Sequence, residues 1–175
     1  LTVGGAADSN KSIAELGTGS GAVALSIALE RPQWQVYATD VIDAAIELAR
    51  SNGQALGIHN VTYVVGAWLM PLAGLVFDII ISNPPYVSDS EWLAHAQELC
   101  FEPKLALVAE QDGYSELYVI IERAKHYLHA DGYLILEHGF RQAAIIRAQF
   151  AAHGYHSVVT YHDLQGLARV TIGRK

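Results

Sequence analysis

The chain is poor in sulfur and poor in charge. Among 175 residues there are one cysteine, one methionine and five prolines. A lone cysteine, Cys100, excludes an internal disulfide and suits a reducing compartment. It sits in no recognisable motif with a histidine or a second cysteine, which argues against a reactive role. Charged residues make up only 17%, and the basic ones are scarcer: 11 Lys and Arg against 18 Asp and Glu, a net charge of −7. That deficit speaks against a broad basic surface for nucleic acid. Long apolar runs are missing too; the longest is interrupted by Asp78 and Ser82, so no segment reads as a membrane span. No repeat, linker or low-complexity tract is present. What remains is a chain with 51% hydrophobic residues, long enough for one domain with a sizeable core.

The apolar pattern alternates between two periods. Strands are predicted at 12–16, 35–40, 61–65, 77–82, 133–138, 157–162 and 168–173. Helices are predicted at 21–30, 42–56, 114–128 and 142–153. Ile42, Ala45, Ile46, Ala49 and Leu56 mark the inner face of the second helix, with Gly57 as its stop. Leu117, Ile120, Ile121, Ala124 and Leu128 mark that of the third. Such alternation predicts a mostly parallel sheet covered on both sides. The short gap at 163–167 predicts a C-terminal hairpin that brings an antiparallel edge strand. Residues 1–11 carry no usable periodicity and are expected to be irregular; residues 12–175 form the domain.

Asn83-Pro84-Pro85-Tyr86 follows the strand pattern Phe77–Ser82. Two prolines fix two φ angles and remove two N–H donors. Asn83, which precedes proline, is held away from the helical region. The corner therefore offers acceptors, the Asn83 side-chain carbonyl and the Pro84 main-chain carbonyl, and few donors. That suits an –NH2 group, while Tyr86 adds a flat face. On its own, the tetrapeptide is equally well a stiff surface turn.

Glu15-Leu16-Gly17-Thr18-Gly19-Ser20-Gly21 lies between a strand and a helix, as a nucleotide-type loop does. Glycines there let the backbone approach a ligand closely. Asp40 ends the second strand, nineteen residues beyond Gly21, where an acid accepts from ribose hydroxyls or caps the next helix. A dinucleotide site offers N–H groups to a pyrophosphate. Glu15 would repel a pyrophosphate and welcome the cationic amino acid end of S-adenosyl-L-methionine, so the sulfonium cofactor is favoured.

Several segments together resemble the HemK/PrmC family, methyltransferases that modify the glutamine side-chain amide of peptide chain release factors. They are ELGTGSGAVALSIA, VYATDVIDAAIELARSN, FDIIISNPPYV, FEPKLALVAEQDG, GYLILEHG and RVTIG. They span Ile13 to Gly173, and their order is far more specific than Asn-Pro-Pro-Tyr, which amino-methylating DNA enzymes share. The resemblance implies a class I S-adenosylmethionine-dependent methyltransferase fold, Rossmann-like, with seven strands and a C-terminal antiparallel hairpin. It implies a cofactor site at Glu15, Gly17, Thr18, Gly19, Gly21, Asp40, Trp68 and Asn83. It implies catalysis at Asn83, Pro84 and Tyr86, with Pro85 and Glu102 completing the substrate site. The implied partner is a release factor and the implied location is the cytoplasm; no membrane, nucleic acid or metal is called for. Two departures stand out. The family's acid-aromatic pair after the third strand is here Ala67-Trp68, so the acid expected at the adenine amino group is missing. The family's N-terminal helical domain has no counterpart, because the first predicted strand begins at residue 12. The chain thus reads as a catalytic-domain fragment or a short relative.

Other candidates are weaker. His126 with His129, and His153 with His156, have the i, i+3 spacing of metal ligands, yet each pair lies near a helix end with no third ligand. Glu137-His138 closes the fifth strand and is expected to be structural or to position substrate. A rival substrate class is the adenine or cytosine amino group in nucleic acid. A rival class of protein is a cofactor-binding fragment without activity. A third rival is a nicotinamide-dependent oxidoreductase.

Overall fold

A computed structural model describes residues 10–94 and 104–175. Its contacts cluster into two units, Leu1–Ile81 and Ser82–Lys175.

The first unit alternates strand and helix. β1 (Ser12–Leu16) is followed by α1 (Ala22–Glu30), β2 (Gln35–Asp40), α2 (Asp43–Ala55), β3 (Val61–Val65) and β4 (Phe77–Ser82). β1 pairs with β2 and β2 with β3, all parallel. Strands covered on both faces need apolar residues on both, and β1 buries Ile13, Ala14 and Leu16 in succession. Small residues bring α1 close to the sheet: Ala24, Ala28, Val36 and Ala38 form one cluster, sealed by Ile27, Ile58, Val61 and Tyr63. Burial of such side chains contributes roughly 25 cal/mol per Å2 of apolar surface. On α2 the inner face is Ile46, Ala49 and Gly53. Leu56, expected on that face, is 59% exposed because the helix ends at Ala55. Asp78 of β4 accepts the Ser12 N–H at 2.8 Å and fixes the start of β1.

The second unit begins with a capping box that the sequence reading passed over. Ser88 Oγ accepts the Glu91 N–H at 3.2 Å while Glu91 Oε2 accepts the Ser88 N–H at 3.2 Å. This starts a short helix, Asp89–Ala94. Single helical turns follow at Lys104–Leu107 and Glu110–Gly113, then α3 (Ser115–Tyr127), β5 (Leu128–Glu137), α4 (Ala143–Ala152), β6 (His156–His162) and β7 (Ala168–Arg174). α3 buries Leu117, Ile120, Ile121 and Ala124, as its period predicts. Leu128 is also buried but opens β5. β5 therefore starts earlier than expected. Its Ala130-Asp131-Gly132 stretch keeps a turn-like kink, with Asp131 at φ 66, and is tied to the end of β7 by the Arg174–Asp131 ion pair at 3.0 Å and the Lys175 N–H on the Gly132 carbonyl at 2.9 Å. β7 is antiparallel to both β5 and β6. The antiparallel strand thus lies inside this part of the sheet, between β5 and β6, and not at an edge.

The fold class is the expected one: seven strands, mostly parallel, with an antiparallel C-terminal hairpin. Among the described residues no helix is long and apolar enough to cross a membrane.

Candidate functional site

In the first unit the glycine loop connects β1 to α1, and most of its main-chain donors are committed to the protein itself. The N–H groups of Gly17 and Thr18 both donate to the Thr39 carbonyl, at 2.8 and 2.9 Å, and Gly21 N–H donates to the Thr18 carbonyl at 2.9 Å. Gly19 N–H donates to Asp40 Oδ2 at 2.9 Å, and Ala24 N–H to Glu15 Oε2 at 3.0 Å. The Thr18 hydroxyl also donates to Glu15 Oε2. A loop that cradles pyrophosphate leaves such donors free for the ligand. This one spends most of them internally, two of them on the carboxyl groups of Glu15 and Asp40.

Glu15 is 5% exposed. Burial raises its pKa to about 7; the bonds from Thr18 and Ala24 oppose the rise and the nearby Asp40 charge adds to it. A carboxyl poised there becomes fully charged when a cation arrives. Asp40 is not the N-cap of α2, since that position is Ile42. It instead accepts the Ile42 N–H at 2.9 Å with Oδ1 and the Gly19 N–H with Oδ2, so it ties the end of β2 to the loop.

Two glycines here need to be glycine. Gly21 has φ +83, and a Cβ on it would lie 3.0 Å from the Ala49 Cβ, so it serves the packing of α1 on α2. Gly19 has φ +55, and a Cβ on it would meet nothing within 4 Å: the space beside it is open. Trp68 leans on the loop, with its ring 3.3 Å from where a Gly17 Cβ would be, and its carbonyl accepts the Thr39 hydroxyl at 3.0 Å. The structure therefore brings Glu15, Gly17, Thr18, Gly19, Asp40 and Trp68 together, with Thr39 as a hub that sequence reading missed. Open space beside Gly19, acidic groups and committed N–H donors fit a cationic cofactor.

In the second unit the Asn83–Tyr86 corner runs on from the end of β4, with Asn83 exposed and Pro84 buried. Tyr86 is gripped at both ends. Its hydroxyl donates to Glu137 Oε1 at 3.1 Å, and its carbonyl accepts from Gln142 Nε2 at 3.2 Å. Burial, then the Glu137 charge, raises the Tyr86 phenol above its ordinary value, so it stays protonated as a donor. The next residue, Val87, donates to the Leu107 carbonyl at 2.9 Å and accepts the Ala109 N–H at 3.0 Å.

His138, expected to be structural or to position substrate, is fully buried. Its Nδ1 donates to the Gly139 carbonyl at 3.0 Å, so its Nε2 accepts from the Thr171 hydroxyl at 2.8 Å, and Thr160 donates in turn to Thr171 at 2.8 Å. Burial lowers the His138 pKa, which keeps this neutral tautomer. The ring holds the loop after β5 in place. The histidine pairs do not share helices: His126 lies in α3 and His129 in β5, while His153 caps α4 and His156 opens β6. Among the described residues no metal-binding group of three is assembled. Glu102, with Phe101, Pro103 and Cys100, lies outside the described residues.

Residues 5–151 match the methyltransferase small domain family, and the chain belongs to that family. It is similar to two proteins named release factor glutamine methyltransferase. It is 39% identical to that of Shewanella oneidensis over 95% of this chain and 58% of the relative. It is 44% identical to that of Aliivibrio fischeri over 94% of this chain and 58% of the relative. The chain thus spans under two thirds of the length of these curated relatives. A solved methyltransferase from Pyrococcus furiosus superposes with a TM-score of 0.71 at 20% identity, over 95% of this chain and 75% of that one, which shows a shared fold. The family and the fold imply S-adenosyl-L-methionine as cofactor.

Proposed function

We propose that this chain carries the catalytic part of an S-adenosylmethionine-dependent enzyme that methylates the side-chain amide nitrogen of a glutamine in a peptide chain release factor. The observation that carries the substrate class is the similarity to release factor glutamine methyltransferases along 94–95% of the chain, the Asn83–Tyr86 corner included. The cofactor supplies an electrophilic methyl group on a sulfonium. Glu15 and Asp40 hold its cationic amino acid end and its ribose, with Gly17, Thr18, Gly19 and Gly21 lining the approach and Trp68 beside the adenine.

The acceptor side is assigned to Asn83, Pro84, Pro85 and Tyr86, with Glu102 as a further substrate contact. An amide nitrogen is a weak nucleophile because its lone pair is delocalised into the carbonyl. The Asn83 side-chain carbonyl and the Pro84 carbonyl accept its two N–H bonds, orient the nitrogen and stabilise the positive charge that develops on it. One proton leaves to water after transfer, so no residue needs to act as a base beforehand. Exposure of Asn83 supports this role, since an acceptor must meet a partner protein from solvent.

The test is incubation with labelled cofactor and, in separate reactions, a release factor, double-stranded DNA and RNA. Label on a release-factor glutamine supports the reading. Label on a nucleobase amine would move the assignment to the rival substrate class, which the net charge of −7 disfavours. Cofactor binding without transfer to any substrate would make the chain a binding fragment whose activity needs more of the protein.

A further inference from the structure

We infer that Gln142 is the positioning residue of the acceptor corner. This deepens the proposed function, because it concerns how the amide-binding corner is held. Gln142 is 7% exposed and uses both ends of its side chain. Its Oε1 accepts the Gly139 N–H at 2.8 Å. Its Nε2 donates to two carbonyls, Tyr86 at 3.2 Å and Gly113 at 3.2 Å. The amide orientation is unambiguous, since the reverse would set a carbonyl oxygen against two others. One side chain thus joins three segments distant in sequence: the corner at 83–86, the turn at 110–113 and the loop after β5.

The turn it holds is strained. Gln111 and Asp112 both have φ 54, an uncommon conformation for residues with a side chain. Gly113 follows at φ +84, and a Cβ on it would lie 2.2 Å from the Tyr86 carbonyl oxygen. Main chain therefore lies directly against main chain here, and the Gln142 amide bridges the two carbonyls. Further supports of the corner among the described residues are the Val87 bonds to Leu107 and Ala109, the Tyr86–Glu137 bond and the Arg169 side chain beside the Tyr86 hydroxyl. Among the described residues, Gln142 is the side chain that bonds the Tyr86 carbonyl, one peptide removed from Pro85. Gln142 does not contact the substrate: it acts through Tyr86, setting where the Pro84 and Asn83 acceptors stand.

Gln142→Glu tests this with little change in shape. Its ionised carboxylate cannot donate and faces two carbonyls. At pH 8 the expected result is a kcat on release factor lower by about tenfold to a hundredfold, the range for small misplacements of a reacting group. The dissociation constant for S-adenosylhomocysteine should stay within about twofold, the measurable margin in calorimetry. As pH falls, the carboxyl regains a proton and one donor, so the ratio of variant to wild-type kcat should rise. A merely structural role would not give that pH-dependent rescue. Gln142→Met, of similar length but without donors, should lose kcat without the rescue. Hydrogen exchange gives a readout independent of any substrate: the Val87 and Ala109 amides should exchange faster in both variants. Wild-type kcat at pH 8, a loss that ignores pH, or unchanged exchange at Val87 would each overturn the inference. If wild-type protein methylates no release factor, the functional reading fails, and exchange at Val87 still decides the role of Gln142.

Discussion

The glycine loop and the acceptor corner are braced in opposite ways. The loop is held by its neighbours in sequence: Glu15 reaches Thr18 and Ala24, three and nine residues away, and Asp40 reaches Gly19 over twenty-one. The corner is held from afar: Tyr86 depends on Glu137, fifty-one residues on, and on Gln142, fifty-six on. A locally braced loop keeps its shape whenever its βαβ unit is folded. A remotely braced corner has its shape only once strand, turn and loop have all assembled. Cofactor binding and methyl transfer should therefore be separable by mutation.

The largest effect should come at the corner itself. Asn83→Ala removes an acceptor of the developing charge and should lower turnover by about a hundredfold to a thousandfold, far more than it weakens cofactor binding in calorimetry. Normal turnover of that variant would remove Asn83 from the site. Next, Gly113→Ala forces a Cβ against the Tyr86 carbonyl at a positive φ. It should cost about 2 kcal/mol or more of stability in denaturant unfolding and reduce turnover more than cofactor affinity. If affinity fell in step, the two regions would not be separable.

Asp40→Ala sharpens the other side. It frees the Gly19 and Ile42 N–H groups and removes the proposed ribose acceptor, so the cofactor dissociation constant should rise about tenfold, or about 1.4 kcal/mol. An unchanged constant would deny it the ribose role. A pH effect follows from Glu15. Its pKa in the fold is about 7 against 4.5 for the free group, so the folded state binds more protons between those values. The cofactor-free protein should lose stability from this group as pH rises from about 4.5 to about 7, and change little from it above. Affinity for the cationic cofactor should move the opposite way and rise through about pH 7. Glu15→Gln should abolish both trends; trends that persist in that variant belong to other groups. The smallest effect is Ser88→Ala, which breaks the capping box and should cost about 1 kcal/mol in thermal unfolding without altering cofactor affinity.

The same contrast explains what was legible in the sequence. β1 to β4, α1 and α2 follow from apolar periods with clear stops, and the glycine loop from its spacing. Residue types mark local structure because local hydrogen bonds depend on neighbours: Asp40 reads as a ribose acceptor or a cap, and although Ile42 is the N-cap of α2, Asp40 accepts a main-chain N–H two residues on. The hold on Tyr86 was not legible. Nothing about Gln142 in the sequence marks a residue that bridges two distant carbonyls, although its spacing from Gly139 is the reach-back spacing of a capped helix start. Thr39 was missed because a threonine on a buried strand reads as packing, while its carbonyl gathers two loop amides. The early start of β5 is not legible because Asp131-Gly132 reads as a turn, and Asp131 does take a left-handed φ of 66 within the strand, tied there by Arg174 and Lys175.

The most direct test is a mass measurement on a release factor incubated with S-adenosylmethionine and this chain, beside the same reaction with Asn83→Ala. The account predicts one added methyl group on a single glutamine side chain with the native chain, and none in the same time with the variant, while both proteins still bind S-adenosylhomocysteine. A methyl group transferred at equal rate by both proteins would contradict it.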